Sequence, residues 1–342
     1  MDHFNYVGGE LFAEGVAVKK LAAQFGTPLY VYSSATLTHH FDVFNSAIPL
    51  KNKLVCFAVK SNSNFAVIKT LAAAGAGADV VSEGEIRRAL LCGVAPNKII
   101  FSGVGKTAAE MEFALNTGIL QFNIESEPEL ELLSQVASKI GKTAEIAIRV
   151  NPNVDAATHG KITTGLKTSK FGIDINLGKA MFDKARKLPN IKPVSVSVHI
   201  GSQITDLKPF ADAFVRVREF LAELAADGQK IERVDLGGGL GIPYELGKNP
   251  PHPADYGKMV QEIFAGLNYK FIFEPGRVIV GNAGILVSKV IYVKPTEERE
   301  FLIIDAAMND LIRPSYYSAH HDIITVRENN NNAAKYDIVG PV

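Results

Sequence analysis

Leu54-Val55-Cys56-Phe57-Ala58-Val59 is an apolar run of strand length, and it stops at Lys60-Ser61-Asn62-Ser63-Asn64. Runs of the same kind follow at Ala78–Val81, Lys98–Phe101, Leu120–Ile124, Glu145–Val150, Val194–Ile200, Arg233–Leu236 and Lys270–Phe273, which makes eight. Seven segments between them carry helical apolar spacing, among them Phe65–Ala74, Glu83–Leu91, Ala108–Asn116, Glu127–Ile140 and Phe210–Leu224. Alternating strands and helices predict parallel pairing, and eight such units predict an α/β fold closed as a (β/α)8 TIM-like barrel. A doubly wound open sheet is the alternative.

The barrel is expected over residues 31–278. Residues 1–30 hold a strand-like Gly9-Glu10-Leu11-Phe12 and a helix-like Val18–Phe25, and are expected to pack with a second, β-rich domain over 279–342. In that domain Val278-Ile279-Val280, Gly284–Tyr292 and Phe301–Asp305 read as strands without helices between them. Asn329–Asn332 reads as a surface loop. A chain of 342 residues with 47% hydrophobic content can build one large domain and a smaller one.

Lys+Arg and Asp+Glu balance at 36 each, so no basic field draws nucleic acid or an anionic membrane. Cys56 and Cys92 have no CxxC spacing and read as small core residues in a reducing compartment. Met1-Asp2-His3-Phe4-Asn5 lacks the features of a signal peptide, and no apolar stretch reaches the length of a membrane span. The expectation is a soluble, cytoplasmic protein.

In a (β/α)8 barrel the chemistry lies at the C-terminal ends of the strands. There the sequence places Lys60, Ser102-Gly103, Glu125, Asn151, His199 within the end of strand six, Gly237-Gly238-Gly239 and Glu274-Pro275-Gly276-Arg277. A lysine in apolar surroundings must be paired or lose its charge, and desolvation makes it nucleophilic toward an aldehyde. By itself Lys60 reads as a strand cap facing water. With its neighbours it meets the needs of pyridoxal phosphate: an imine-forming lysine, an anion site, a flat surface and a partner for the ring nitrogen. Gly237–Gly239 supplies backbone N–H groups and can present a helix N-terminus. His199 can lie flat on a ring, Glu274 can hold a ring nitrogen protonated, and Arg277 suits a carboxylate or phosphate.

Plainer readings exist for each. His199 alone reads as well as a core histidine, and Glu274 before Pro275 as a cap. A dinucleotide loop at Gly237 would need glycine where Ile242 stands. Gly103-Val104-Gly105-Lys106-Thr107 imitates the end of an ATP-binding loop, but the first glycine would fall at Ile100. His39-His40 and His320-His321 lack metal-ligand spacing, so no metal is expected and they read as surface or packing residues.

Phe57-Ala58-Val59-Lys60-Ser61-Asn62, His199-Ile200-Gly201-Ser202-Gln203, Asp235-Leu236-Gly237-Gly238-Gly239 and Glu274-Pro275-Gly276-Arg277 resemble, in order and spacing, the barrel-type pyridoxal phosphate decarboxylases. Thr164-Gly165-Leu166, Ser169-Lys170-Phe171-Gly172 and the stretch from Asp305 through Leu311-Ile312-Arg313-Pro314 to Tyr317 narrow the resemblance to the diaminopimelate decarboxylases. That resemblance implies decarboxylation of meso-2,6-diaminopimelate to L-lysine. It implies Lys60 as the catalytic residue. Asp79, His199, Ser202, Gly238, Gly239, Glu274, Gly276 and Arg277 join it at the cofactor, and Arg277, Arg313 and Tyr317 bind the substrate's carboxylates. Arg149 is a further candidate. It also implies a homodimer with the active site at the subunit interface. Family members continue after Val-Gly-Pro-Val with a Cys-Glu-Ser-Gly-Asp segment that reaches the neighbouring subunit, so the chain reads as C-terminally truncated, with its own activity in question. An ornithine- or carboxynorspermidine-type decarboxylase and a non-catalytic cofactor binder are the alternatives.

Overall fold

The computed structural model describes residues 3–155, 170–244, 250–329 and 335–342. Thr164-Gly165-Leu166, Ser169 and Asn330–Asn332 lie outside the described residues. The chain divides into two compact units: one of Met1–Leu37, Pro243–Lys248 and Asn282–Val342, the other of Thr38–Ile242 and Asn249–Gly281.

The larger unit is the barrel. Its strands are β1 (Lys53–Ala58), β2 (Gly77–Val80), β3 (Ile99–Phe101), β4 (Gln121–Ile124), β5 (Ala144–Asn151), β6 (Ile191–Ser197), β7 (Arg233–Asp235) and β8 (Lys270–Phe273). Each pairs in parallel with the next, and β8 returns to β1 through Phe271↔Lys53 and Phe273↔Val55, which closes the ring. The open-sheet alternative is thereby set aside. The strands are apolar because ring and helices bury both of their faces. Helices Phe65–Ala73, Glu83–Leu91, Ala108–Thr117, Glu127–Lys139, Ile175–Lys187, Lys208–Ala226 and Pro253–Ile263 cross between successive strands. Several start on side-chain caps: Ser82 accepts from Glu85 N, Ser126 from Glu129 N, and Thr107 forms a capping box with Glu110.

Inside the ring, Leu54 and Cys56 of β1, Ile100 of β3 and Ile272 of β8 form one buried apolar cluster. Another set of side chains in the barrel is polar and equally buried: Asp79, Gln121, Asn123 and Asp235 are each 0–1% exposed. Between β8 and the helices, Phe44, Phe210, Phe214, Tyr256 and Phe273 pack ring against ring, with Tyr256 edge-on to Phe210 at 5.2 Å.

The smaller unit is mostly β. Phe4–Val7, Glu10–Ala13 and Val16–Ala17 form an antiparallel sheet, and Leu29–Tyr32 pairs antiparallel with Gly284–Val287. Glu300–Ile304 lies between Val290–Pro295 and Asp337–Val339. Leu11, Ala13, Val18 and Val287 make its core. Gly284–Tyr292 is two strands rather than one, and Val278-Ile279-Val280 is no strand at all. Those three residues belong to the helical turn Arg277–Val280, closed by Ile279 N donating to Gly276 O at 3.0 Å. Local β-branching misleads there, because the residues leave the barrel through a turn instead of pairing. Among the described residues no helix is long and apolar enough to cross a membrane.

Candidate active site

Lys60 does not end β1 but stands in the 3-10 turn Val59–Ser61 that follows it, a turn fastened by the Ser61 hydroxyl donating to Ala58 O at 2.6 Å. Its Nζ donates to Asp79 Oδ2 at 2.9 Å. Asp79, on the adjacent β2, is completely buried, and its second oxygen Oδ1 has no hydrogen-bond partner among the described residues. Burial works against charge on Lys60, but the Asp79 and Glu274 carboxylates outweigh it and raise the lysine pKa above its ordinary value. Protein surrounds the stem, yet the side chain keeps 45% of its accessibility, so a ligand can reach Nζ.

Glu274 follows β8 and is 5% exposed. Burial, then the neighbouring Asp235 and Asp79 carboxylates, push its pKa well up. Asn123 of β4 bridges this group, donating through Nδ2 to Asp235 Oδ2 at 3.0 Å and to Glu274 Oε1 at 3.3 Å. Burial likewise raises Asp235 from the ordinary 3.8 to about 6. The folded chain therefore keeps a proton that the unfolded chain releases between those two values, and this group lowers stability progressively as pH rises across the window. Asp235→Asn carries no such charge. Its urea midpoint minus that of the parent is expected to grow from about pH 4 to about pH 6 and then level off. A difference that stays flat would mean Asp235 is not a raised acid.

The glycine triplet explains why these strand ends meet. A Cβ at Gly237 would lie 2.3 Å from Val198 O, one at Gly238 2.1 Å from Glu274 O, and one at Gly239 2.5 Å from Gly201 O. No side chain fits, so the loop after β7 packs backbone to backbone against those after β6 and β8. Gly237 N donates to Asp235 Oδ1 at 3.0 Å, and Gly238 N to His199 Nδ1 at 3.2 Å. The expectation of a helix N-terminus is corrected: residues 237–244 are loop, because two of the three N–H groups are spent on fastening neighbours.

His199 stands beyond β6, which ends at Ser197, and not within it. Accepting from Gly238 leaves its Nδ1 without a proton, and burial with the Arg149 and Lys60 charges holds its pKa well below the ordinary 6.5. A neutral, fixed ring results. Ser202 is next to Gln203, whose backbone has φ 57° and whose amide clasps Ile242, donating to its O at 2.6 Å and accepting from its N at 3.3 Å. That clasp ties the loop after β6 to the loop after β7.

Arg149 is held by Glu125, with Nη1 to Oε1 at 2.9 Å, and Glu125 also accepts from Gly103 N and Gly172 N. Lys106, read above against an ATP-loop motif, is 1% exposed at its side chain. It donates to Glu129 Oε1, Gly103 O and Asn123 O at 2.6–2.7 Å. All three protons are used internally, so Lys106 pins the loop after β3 to the end of β4. Asn123, Asp235 and Glu85 join the site unannounced by the sequence. Glu85 sits in the first turn of its helix and is raised by burial and by Asp79.

The barrel unit thus contains Lys60, Asp79, Arg149, His199, Ser202, Gly238, Gly239, Glu274, Gly276 and Arg277. Arg313 and Tyr317 belong to the other unit, where Arg313 lies over the Tyr317 ring at 5.6 Å.

The profile of the family described as pyridoxal-dependent decarboxylase, pyridoxal binding domain, matches residues 34–281. The diaminopimelate decarboxylase of Vibrio cholerae is 49% identical over the whole chain, which spans 82% of that relative. The crystal structure of diaminopimelate decarboxylase from Helicobacter pylori complexed with L-lysine superposes with a TM-score of 0.90 at 41% identity, covering 95% of this chain and 81% of the other. That from M. jannaschii in co-complex with L-lysine gives 0.93 at 38%, covering 99% and 81%. On a closed barrel that carries the motif residues at one set of strand ends, identity of this extent decides the matter, and the chain belongs to the diaminopimelate decarboxylase family of pyridoxal-dependent decarboxylases.

Proposed function

We propose that the chain catalyses the decarboxylation of meso-2,6-diaminopimelate to L-lysine and CO2 with pyridoxal phosphate. The observation that carries this reading is the buried group of Asp79, Glu274 and Asp235 gathered on one reachable lysine, Lys60. The residues fit the cofactor. Asp79 Oδ1 is a buried acceptor with no donor among the described residues, Glu274 is a buried carboxyl group that can pair with a ring nitrogen, and His199 is a fixed neutral ring.

Lys60 would hold the cofactor's aldehyde carbon, His199 its ring face and Glu274 its ring nitrogen. Ser202, Gly239, Gly276 and Arg277 would hold its phosphate, and Gly238, whose N–H is given to His199 Nδ1, would serve the cofactor by fixing that ring. When bound, the cofactor supplies the carbonyl that takes the substrate amine and the electron-poor ring that accepts the electron pair left by CO2. Lys60 must be neutral to bond carbon, and Asp79 Oδ2, accepting from Nζ at 2.9 Å, is the atom that orients it. Ionised Glu274 would be a buried anion beside a protonated ring nitrogen and would keep that cation charged. Arg149, held by Glu125, sets positive charge near Lys60 and His199. Arg277, Arg313 and Tyr317 are assigned to the substrate's carboxylates, following the family resemblance, which also supports a homodimer sharing its sites at the subunit interface.

The test is direct: CO2 release and lysine formation from meso-diaminopimelate with added pyridoxal phosphate, with ornithine and carboxynorspermidine as controls. Turnover of a control substrate in its place would move the chain to another activity of the same architecture. In the same assay Glu274→Gln is expected to keep the cofactor but lower kcat about a hundredfold, the scale of one electrostatic contact worth roughly 3 kcal/mol. An unchanged kcat would remove Glu274 from the ring nitrogen.

A further inference from the structure

Arg313 opens the short helix Arg313–Tyr317, and side chains from two other stretches enclose its guanidinium. Nε donates to His321 Nε2 at 3.3 Å, and Nη2 donates to the Tyr244 hydroxyl at 3.2 Å. The guanidinium carbon lies 5.3 Å from the centre of the Tyr244 ring, and the Tyr244 and His321 rings are 6.4 Å apart. All three residues are half-buried. His321, which the sequence offered only as a surface or packing residue, is therefore a hydrogen-bond acceptor for an arginine.

Two features of this arrangement bear on binding. Nε and Nη2 share one edge of the guanidinium, so both internal bonds use that edge and leave the Nη1/Nη2 end as a fork of the shape a carboxylate needs. Both acceptors are also uncharged. No Asp or Glu among the described residues is within ion-pair distance of Arg313, so it is oriented without being neutralised. Burial and the Arg313 charge favour the neutral imidazole, with His320 and Asp322 the other ionisable groups facing it. A carboxylate in the place of His321 would orient the arginine equally well and cancel its attraction for a ligand.

We infer that His321 is a positioning residue which, together with Tyr244, fixes the plane of Arg313 so that its Nη1/Nη2 end receives the substrate carboxylate remote from the reacting amine. The inference rests on the reading of Arg313 as a substrate-binding residue. It assigns His321 and Tyr244 a part in substrate specificity, because only a substrate with a second carboxylate uses the fork they set.

The experiment is a set of steady-state measurements on the holoenzyme with meso-diaminopimelate. His321→Leu is expected to raise KM about tenfold with a smaller change in kcat, the size of one hydrogen bond to a charged group. His321→Gln, whose amide oxygen can accept from Nε, should recover most of that loss. Tyr244→Phe, which keeps the ring and drops the hydroxyl, should raise KM about threefold to fivefold and serves should the leucine variant not fold. The deciding comparison is His321→Leu made on Arg313→Gln. If His321 acts through Arg313, the second change adds little to KM, whereas a general structural role would add its full effect. Full additivity, or a parental KM in both His321→Leu and Tyr244→Phe, overturns the inference while a raised KM in Arg313→Gln keeps the reading of that arginine. A parental KM in Arg313→Gln itself removes both.

Discussion

Lys60→Ala is expected to abolish the visible absorbance of the bound cofactor and to lower decarboxylation by about a thousandfold or more, roughly 4 kcal/mol of barrier. The protein should stay folded, because the lysine side chain is 45% accessible and the variant removes a cation from a cluster without opening a cavity. Asp79 is then left buried with neither oxygen paired. Borohydride reduction of the parent and peptide mapping give the independent check, since the cofactor should be found on Lys60. Attachment at any other lysine sinks the assignment, and Lys106 is the informative competitor because its ammonium is wholly engaged.

Lys106→Met should lower stability by about 3–5 kcal/mol, because it strands Glu129 in a dry setting. Glu129 is 8% exposed, and burial already raises its pKa with the lysine present. The expected result is a lower urea midpoint with no change in slope. Adding Glu129→Gln should restore a large part of the loss, since the amide oxygen can still accept from Glu125 N, the bond Glu129 Oε2 makes at 2.9 Å. A double variant no more stable than Lys106→Met would show that the methylenes, and not the charge pair, carry the effect.

The barrel was legible because its strands are apolar and their polar endings stand out against them. Lys60 and Glu274 were visible for that reason, each closing a run such as Leu54–Val59 or Lys270–Phe273. Asn123 and Asp235 were not. A single polar residue inside a short run looks like a strand end, and only ring closure shows that Asn123 of β4 touches Asp235 of β7 and Glu274 beside β8. His321 and Tyr244 are 77 residues apart in the chain and share no periodicity. Their common partner Arg313 is what joins them. The helix N-terminus expected at Gly237–Gly239 failed for a related reason. A glycine triplet suggests backbone N–H groups open to an anion, whereas Gly237 and Gly238 make room for Val198 and Glu274 backbone.

The group formed by Asp79, Asp235 and Glu274 has a consequence for the lifetime of the protein. Three buried carboxyl groups facing one another around a single lysine are a local cost of folding, accepted at the place where chemistry needs them. Any ligand that satisfies them binds only the folded chain, so it shifts the folding equilibrium by mass action, by about 2.7 kcal/mol at a hundred times its dissociation constant. Newly made chains are thus expected to be the most vulnerable to proteolysis when cofactor is scarce. Supply of the small molecule would then set how much enzyme accumulates as well as how fast each molecule turns over.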